Sequence, residues 1–153
     1  MKNSTRVLIV LAAVLSVLLV AAPACAANNA VTFGISGPYL ESLEYERGLS
    51  ESTSWYIVYG VSLFDLTGIN LGMKWYDRDS LMDGRYYGLY AGYAQSDFFH
   101  SRDRFFFLGG VLGYKKAYHS GFCFDAGLEL VAFMYEKSID GGLGVTLMAG
   151  YGW

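Results

Sequence analysis

The sequence predicts an all-β chain, an eight-stranded antiparallel up-and-down barrel whose strands cross a membrane. Three observations carry this prediction. The chain has 13 Tyr, 10 Phe and 19 Gly among its 153 residues, a composition that favours strands over helices. Apolar residues recur with a period of two along successive segments. No apolar run after the N-terminal leader is long enough for a spanning helix, so a membrane crossing there requires a closed barrel.

The first 26 residues are typical of a secretory signal peptide. A positively charged start precedes an apolar run from Val7 to Val20, and small residues at 24–26 offer a cleavage site. The run is shorter than the roughly 20 residues that span a bilayer as a helix. We therefore expect residues 1–26 to be removed and residues 27–153 to form one barrel in the outer membrane of a Gram-negative cell.

Eight strands follow, separated by turns that contain glycine or polar residues. Dividing the mature chain among them leaves about 16 residues per strand and turn, which suits membrane strands of about 9–11 residues. The count is even, as bacterial single-chain barrels require. The predicted strands lie near residues 31–36, 40–49, 54–63, 68–77, 86–95, 104–116, 120–133 and 143–153.

Most strands set an apolar face against a smaller or more polar face, and the apolar faces are predicted to point outward. Arg47 is the one charge on the apolar face of the second strand. The sixth strand is apolar on both faces, so its register is open; we favour Phe106, Leu108, Leu112 and Tyr114 outward. The other outward residues are predicted to be Leu43, Tyr45, Leu49, Trp55, Ile57, Tyr59, Val61, Ile69, Leu71, Met73, Trp75, Tyr87, Leu89, Ala91, Tyr93, Phe122, Phe124, Ala126, Leu128, Leu130, Ala132, Leu143, Val145, Leu147, Ala149, Tyr151 and Trp153.

Glycines on the polar faces favour lipid on the apolar side. Glycine weakens a strand by about 0.5–1 kcal/mol relative to alanine, so a face exposed to water would rarely contain so many. Inside a narrow barrel the same glycines make room for tyrosines and opposed charges. The alternative is a soluble periplasmic barrel that turns its apolar face inward and binds a lipid.

The polar faces predict a cluster in the barrel interior, consisting of Glu44, Glu46, Asn70, Lys74, Tyr76, Lys115, Asp125 and Glu129. Its structural interpretation is a network of ion pairs and hydrogen bonds that fills the barrel, because buried charges need partners. Its functional interpretation is a proton or ion path, or a catalytic acid pair. Small barrels have packed interiors, which favours the structural interpretation. Four carboxylates against two lysines leave a negative excess.

Other motifs for chemistry are weak. His100-Ser101 and His119-Ser120 bring base and nucleophile types together, but adjacent strand residues point to opposite faces and both pairs fall in turns. We therefore expect no enzyme, no metal and no cofactor. Cys123 remains alone after cleavage, so we expect a small buried side chain and no disulfide within the chain. The net charge of −3 without a basic tract argues against nucleic acid.

Aromatic residues at strand ends predict girdles at the membrane interfaces. Trp55, Trp75 and Trp153 fall on the same side in this topology, the periplasmic one. On the other side we expect Phe98 and Phe99 to continue into a second girdle with residues 105–107. The last strand alternates and ends on an aromatic, as assembly signals of outer-membrane barrels do, and the signal residues are Leu147, Ala149, Tyr151 and Trp153.

With these strands in place, the mature chain resembles the small eight-stranded outer-membrane barrels typified by the OmpA transmembrane domain and OmpX. Runs 43–50, 84–90 and 110–115 resemble a family of small barrels of unknown function. The resemblance implies fold and location and transfers no catalytic residues. We expect a monomer that contacts outer-membrane lipids and, during biogenesis, periplasmic chaperones and the β-barrel assembly machinery. Its role is structural or one of surface interaction; a lipid-modifying enzyme and the soluble lipid-binding barrel are the alternatives.

Overall fold

The structure is a computed structural model that describes residues 28–62, 66–77, 82–96, 103–135 and 138–153. Each strand pairs antiparallel with the next, and the last pairs with the first, so the sheet closes into a barrel. The predicted all-β, eight-stranded, up-and-down architecture is confirmed. The strands are β1 (Asn29–Gly37), β2 (Tyr39–Gly48), β3 (Thr53–Val61), β4 (Leu66–Tyr76), β5 (Gly84–Ser96), β6 (Asp103–Ala117), β7 (Phe122–Met134) and β8 (Ile139–Gly152).

The barrel has two ends that can be named by the chain path. The termini end is where β1 begins and β8 ends; there Asn29 and Trp153 exchange backbone hydrogen bonds of 3.0 and 2.8 Å. Strands β2, β4 and β6 also end here, and β3, β5 and β7 begin here. The ends of β1, β3, β5 and β7 define the opposite end. The predicted signal peptide falls outside the described residues.

Strand β8 begins earlier than the sequence predicts. Its expected start was residue 143, because Asp140, Gly141 and Gly142 have low strand propensity. In the structure the strand begins at Ile139, which pairs with Met134 at the end of β7. Cross-strand pairing with a long neighbour therefore outweighs the local propensity of these residues.

Strand β6 takes the register that the sequence favoured. Phe106, Leu108, Leu112 and Tyr114 are exposed on the outer wall, and Lys115 is buried inside. One expectation is wrong, however: Phe105 and Phe107 do not belong to an outer girdle. Both are buried and pack edge-on or tilted against Phe133 inside the barrel, because the period of two sends alternate members of a Phe-Phe-Phe run to opposite faces. Phe98 and Phe99 lie outside the described residues.

The three tryptophans all lie at the termini end. Trp55 packs edge-on against Tyr45, with ring centroids 5.6 Å apart, and Trp75 stacks on Tyr87 at 5.3 Å. Trp153 follows the last residue of β8. Among the described residues, no helix has the length and apolar character needed to cross a membrane.

Candidate functional site

The interior of the barrel holds every residue that the sequence assigned to the polar cluster. All eight have side chains on the inner wall, and none is more than 5% exposed. Successive side chains of a strand point to opposite walls, and each of these residues lies two or four positions from a glycine of the same strand that also faces inward. They are Glu44 and Glu46 on β2, Asn70, Lys74 and Tyr76 on β4, Lys115 on β6, and Asp125 and Glu129 on β7.

The charged side chains of the interior form two groups, and Lys74 lies at the centre of the larger one. Its Nζ lies 2.9 Å from Glu44 Oε1, 3.3 Å from Glu46 Oε2 and 3.0 Å from Asp125 Oδ2. The same nitrogen lies 4.7 Å from the centroid of the Tyr56 ring and 4.9 Å from that of Tyr86, within cation–π range. One ammonium group thus joins β2 to β7 across the barrel axis.

Lys115 completes this group, which we call the charge cluster: Glu44, Glu46, Lys74, Lys115 and Asp125. Lys115 Nζ lies 2.5 Å from Glu46 Oε2 and 3.8 Å from Glu44 Oε1. Two ammonium groups therefore face three carboxylates. The remaining hydrogen bonds to these carboxylates come from neutral hydroxyl groups, which satisfy lone pairs that would otherwise be buried without a donor.

Three hydroxyl groups donate to the charge cluster. Ser54 and Tyr76 donate to Glu46 Oε1, the latter over 2.6 Å. Tyr86 donates to Asp125 Oδ1, also over 2.6 Å. Asp125 is thus held between the Tyr86 hydroxyl and the Lys74 ammonium group.

Glu129 forms a second and separate group nearer the opposite end. Its carboxylate accepts hydrogen bonds from Ser36 at 3.3 Å, from Tyr90 at 2.5 Å and from Thr146. Among the described residues no cation pairs with Glu129. The predicted negative excess is therefore located: three carboxylates share two lysines, and the fourth is surrounded by hydroxyl donors.

Aromatic rings reach across the interior by lying over glycines. Tyr90 extends from β5 over Gly109 on β6 to Glu129 on β7, and a Cβ at Gly109 would overlap the ring. Tyr86 does the same over Gly113 to reach Asp125, and the ideal Cβ position there is 2.5 Å from the ring. Comparable pairs of ring and glycine are Tyr39 over Gly60, Tyr56 over Gly72 and Phe107 over Gly92.

Three buried polar atoms lack a hydrogen-bond partner among the described residues: Tyr39 Oη, Ser42 Oγ and Asn70 Oδ1. Tyr39 and Ser42 lie on β2 and Asn70 on β4, nearer the opposite end than Glu44 and Lys74 on the same strands. Asn70 was expected in the polar network, but its carboxamide oxygen does not take part in it. Along β2 and β4 the charge cluster therefore stops at Glu44 and Lys74.

The site offers charge pairing more readily than catalysis or metal binding. Oxygen atoms of Glu44, Glu46 and Asp125 lie within 4.8 Å of one another, which would suit a cation. Lys74 Nζ already occupies that position, within 3.3 Å of all three residues. His119-Ser120 lies in the exposed β6–β7 turn, where Ser120 Oγ accepts from the Phe122 N–H at 3.4 Å. His100-Ser101 lies outside the described residues.

Sequence reasoning missed five residues that complete the interior groups. They share the inward phase with the residues that it found, but hydroxyl groups on an inner wall resemble ordinary small or aromatic filling. The signal available was the spacing: Tyr86 and Tyr90 lie four residues apart, as do Asp125 and Glu129, which they contact. The missed residues are Ser36, Ser54, Tyr86, Tyr90 and Thr146.

Cys123 is buried, as expected, on the inner wall near the termini end.

Comparisons with known proteins add no identification: no family model matches the chain, and neither the curated proteins nor the solved structures contain a significant match. The architecture itself is consistent with the small barrels of the OmpX type.

Proposed function

We propose that the chain is an integral outer-membrane β-barrel, exported through a signal peptide at residues 1–26, with a structural or surface-interaction role in the cell envelope. The observation that carries this proposal is the inverted distribution of polarity. Lys115 and Asp125 are fully buried in the interior, whereas Leu143 and Leu112 are 86% and 70% exposed on the outer wall. Soluble domains do the reverse.

The outer wall supports a lipid environment along most of its circumference. Large apolar side chains are exposed on every strand, and soluble monomers rarely expose a continuous apolar surface of this kind. A barrel that bound an apolar ligand internally would turn these side chains inward. Because the inner wall instead holds the charge cluster, lipid is the solvent that fits the outer wall.

The aromatic pairs at the termini end support an interface at that level. Tyr45–Trp55 and Trp75–Tyr87 lie on the outer wall close to the strand ends, where amphipathic rings contact headgroups. With the chain termini on the periplasmic side, this end faces the periplasm. The opposite end then faces the cell exterior.

A structural role fits the interior better than transport or catalysis. The carboxylates of the interior are each engaged by a lysine or by hydroxyl donors. Towards the opposite end Tyr39, Phe107 and Phe133 fill the cross-section, with ring centroids of neighbouring pairs 6.3 Å apart. The proposed partners are outer-membrane lipids and, during biogenesis, periplasmic chaperones and the assembly machinery. We propose a monomer, without a cofactor.

Fractionation of cells that produce the chain tests this proposal. We expect the mature protein, shortened by the signal peptide, in the outer-membrane fraction after a carbonate wash. Unheated samples should migrate differently from boiled samples on a denaturing gel, because closed barrels resist detergent until heated. Release of the chain by carbonate, or identical migration of the two samples, would contradict the membrane assignment.

The terminal aromatic offers a second test. Trp153→Ala should reduce the amount of heat-modifiable barrel in the outer membrane, because the proposed assembly signal ends on this residue. Trp75→Ala is the matched control, since Trp75 lies at the same end but not at the chain terminus. Equal outer-membrane yields of the two variants would remove the assembly role of Trp153.

A third test addresses the enzyme alternative. We expect the mass spectra of lipid A to be the same in cells with and without the protein, and a modified lipid A species would favour the enzyme alternative.

A further inference from the structure

A group of hydrogen-bond donors lies on the outer wall near the termini end. Asn29 on β1, Arg47 on β2 and Trp55 on β3 stand directly opposite one another in the antiparallel ladders. Directly opposed residues have Cβ atoms about 4.5–5.5 Å apart. The three side chains, which we call the Arg47 group, therefore leave the outer wall from adjacent positions.

The side chains of the Arg47 group offer mainly hydrogen-bond donors. Arginine has five N–H donors and no acceptor, and the indole of tryptophan only donates. Asn29 Oδ1 accepts a hydrogen bond of 2.8 Å from the Tyr45 hydroxyl, and the amide nitrogen of Asn29 adds a donor. The group thus combines N–H donors with one positive charge, which matches an anion with several oxygens.

Arg47 also differs from Lys116 and Arg85, two other outward cations at the termini end. Lys116 Nζ lies 3.1 Å from Asp83, and Arg85 Nε lies 3.8 Å from Asp77. Arg47 is exposed, and among the described residues no carboxylate pairs with it. A charge on a lipid-facing wall is unfavourable unless it reaches the interface and an anion compensates it.

An apolar groove of about 610 Å³ begins beside this group. Trp55, the partner of Arg47 in the ladder, forms one edge of the groove. Ala91 is an outward residue of the groove and carries only a methyl group, so the wall is locally low between larger side chains. The groove is lined further by Leu71, Met73, Trp75, Leu89 and Leu108. A donor-rich cationic group next to an apolar groove is the arrangement that a lipid with an anionic headgroup requires.

We propose that the Arg47 group binds the phosphate of a glycerophospholipid in the leaflet at the termini end, with an acyl chain in the adjoining groove. This proposal rests on the proposed membrane location. The edge-on packing of Trp55 against Tyr45 belongs to the aromatic level at which headgroups lie. The planar guanidinium of Arg47 donates two parallel hydrogen bonds to phosphate oxygens, and the Asn29 and Trp55 N–H groups supply the others.

Native mass spectrometry of the folded barrel in dodecyl maltoside, a detergent without phosphate, tests this site. The probes are dioleoylphosphatidylglycerol and dioleoylglycerol, which share acyl chains and differ in the phosphate headgroup. We expect the wild-type barrel to retain one phosphatidylglycerol and little diacylglycerol. Arg47→Gln should weaken retention by at least about tenfold, the effect of losing a hydrogen bond between charged groups. Arg47→Lys should keep part of the affinity.

Arg85→Gln is the matched control, because Arg85 is an exposed outward arginine at the same end. Equal retention by Arg47→Gln and wild type, or equal retention of the two lipids, would overturn the site while leaving a heat-modifiable barrel intact. Stabilisation of the barrel by excess inorganic phosphate to the same extent as by phosphatidylglycerol would overturn its assignment to a lipid. A chain that fails to enter micelles and vesicles as a barrel would overturn both this site and the membrane location.

Discussion

Replacing Lys74 by methionine should unfold the barrel at a much lower denaturant concentration. Methionine keeps a long unbranched side chain but removes the ammonium group that contacts three carboxylates. Among the described residues, Asp125 would keep only the hydrogen bond from Tyr86, and Glu44 would keep only Lys115 at 3.8 Å. The substitution therefore leaves at least one buried carboxylate without a close cation among the described residues.

The expected loss follows from this count. Removing one partner of a buried ion pair costs about 3–5 kcal/mol, because the other charge remains buried and uncompensated. Lys74→Met should thus lower the free energy of unfolding by about 3–5 kcal/mol. Asp125→Asn in the same chain removes the stranded charge and keeps an acceptor for Tyr86. It should restore part of the loss, with a coupling free energy of about 0.5–3 kcal/mol.

Urea titration of the refolded barrel in micelles, followed by tryptophan fluorescence and gel migration, measures these changes. Arg85→Met is the control: its side chain is 81% exposed and Arg85 Nε is 3.8 Å from Asp77, so the unfolding midpoint should not move. The reasoning is refuted if Lys74→Met unfolds within about 1 kcal/mol of wild type. It is also refuted if Asp125→Asn adds its own cost to Lys74→Met instead of offsetting it.

Two further pairs of variants test the packing of a ring on a glycine and a hydrogen bond to a buried carboxylate. In each pair the second variant changes a residue that lacks this contact in the described part of the chain. Gly109→Ala should lower the free energy of unfolding by about 1–3 kcal/mol because its Cβ would overlap Tyr90, whereas Gly110→Ala, whose nearest neighbour would be 3.6 Å away, should be neutral or stabilising. Similar urea midpoints for this pair would contradict the overlap. Ser54→Ala removes a buried donor to a carboxylate and should cost about 1.5–3 kcal/mol. Ser42→Ala should cost clearly less, because Ser42 Oγ has no partner among the described residues; a larger loss for Ser42→Ala would contradict this view of the interior.

The period of two was enough to predict which charged residues lie inside the barrel. Lys74 and Asp125 could be placed on inner walls because each is a charge in the middle of an otherwise apolar segment. Their contact could not be predicted, since they lie 51 positions apart and meet across the barrel axis. Only the closure of the sheet brings β4 opposite β7.

The positions and roles of several aromatic residues could not be predicted in this way. Phe106 is exposed on the outer wall, but its neighbours Phe105 and Phe107 pack inside, and composition alone does not distinguish these environments. Tyr86 and Tyr90 were not predicted to belong to the interior groups, because a tyrosine on an inner wall resembles filling. Their role as donors depends on the glycines beside them, and that relation becomes visible only once β5 and β6 are paired.

The pairs of ring and glycine also govern how the strands may be joined during assembly. A shift of β6 by two residues against β5 would preserve every inward and outward assignment, so the apolar pattern alone does not forbid it. Such a shift would replace Gly109 opposite Tyr90 by Val111 or Phe107. Either side chain would occupy the space of the ring and separate the hydroxyl from Glu129. The interior therefore acts as a check on alignment, rejecting near-correct barrels that the apolar pattern of the outer wall would accept.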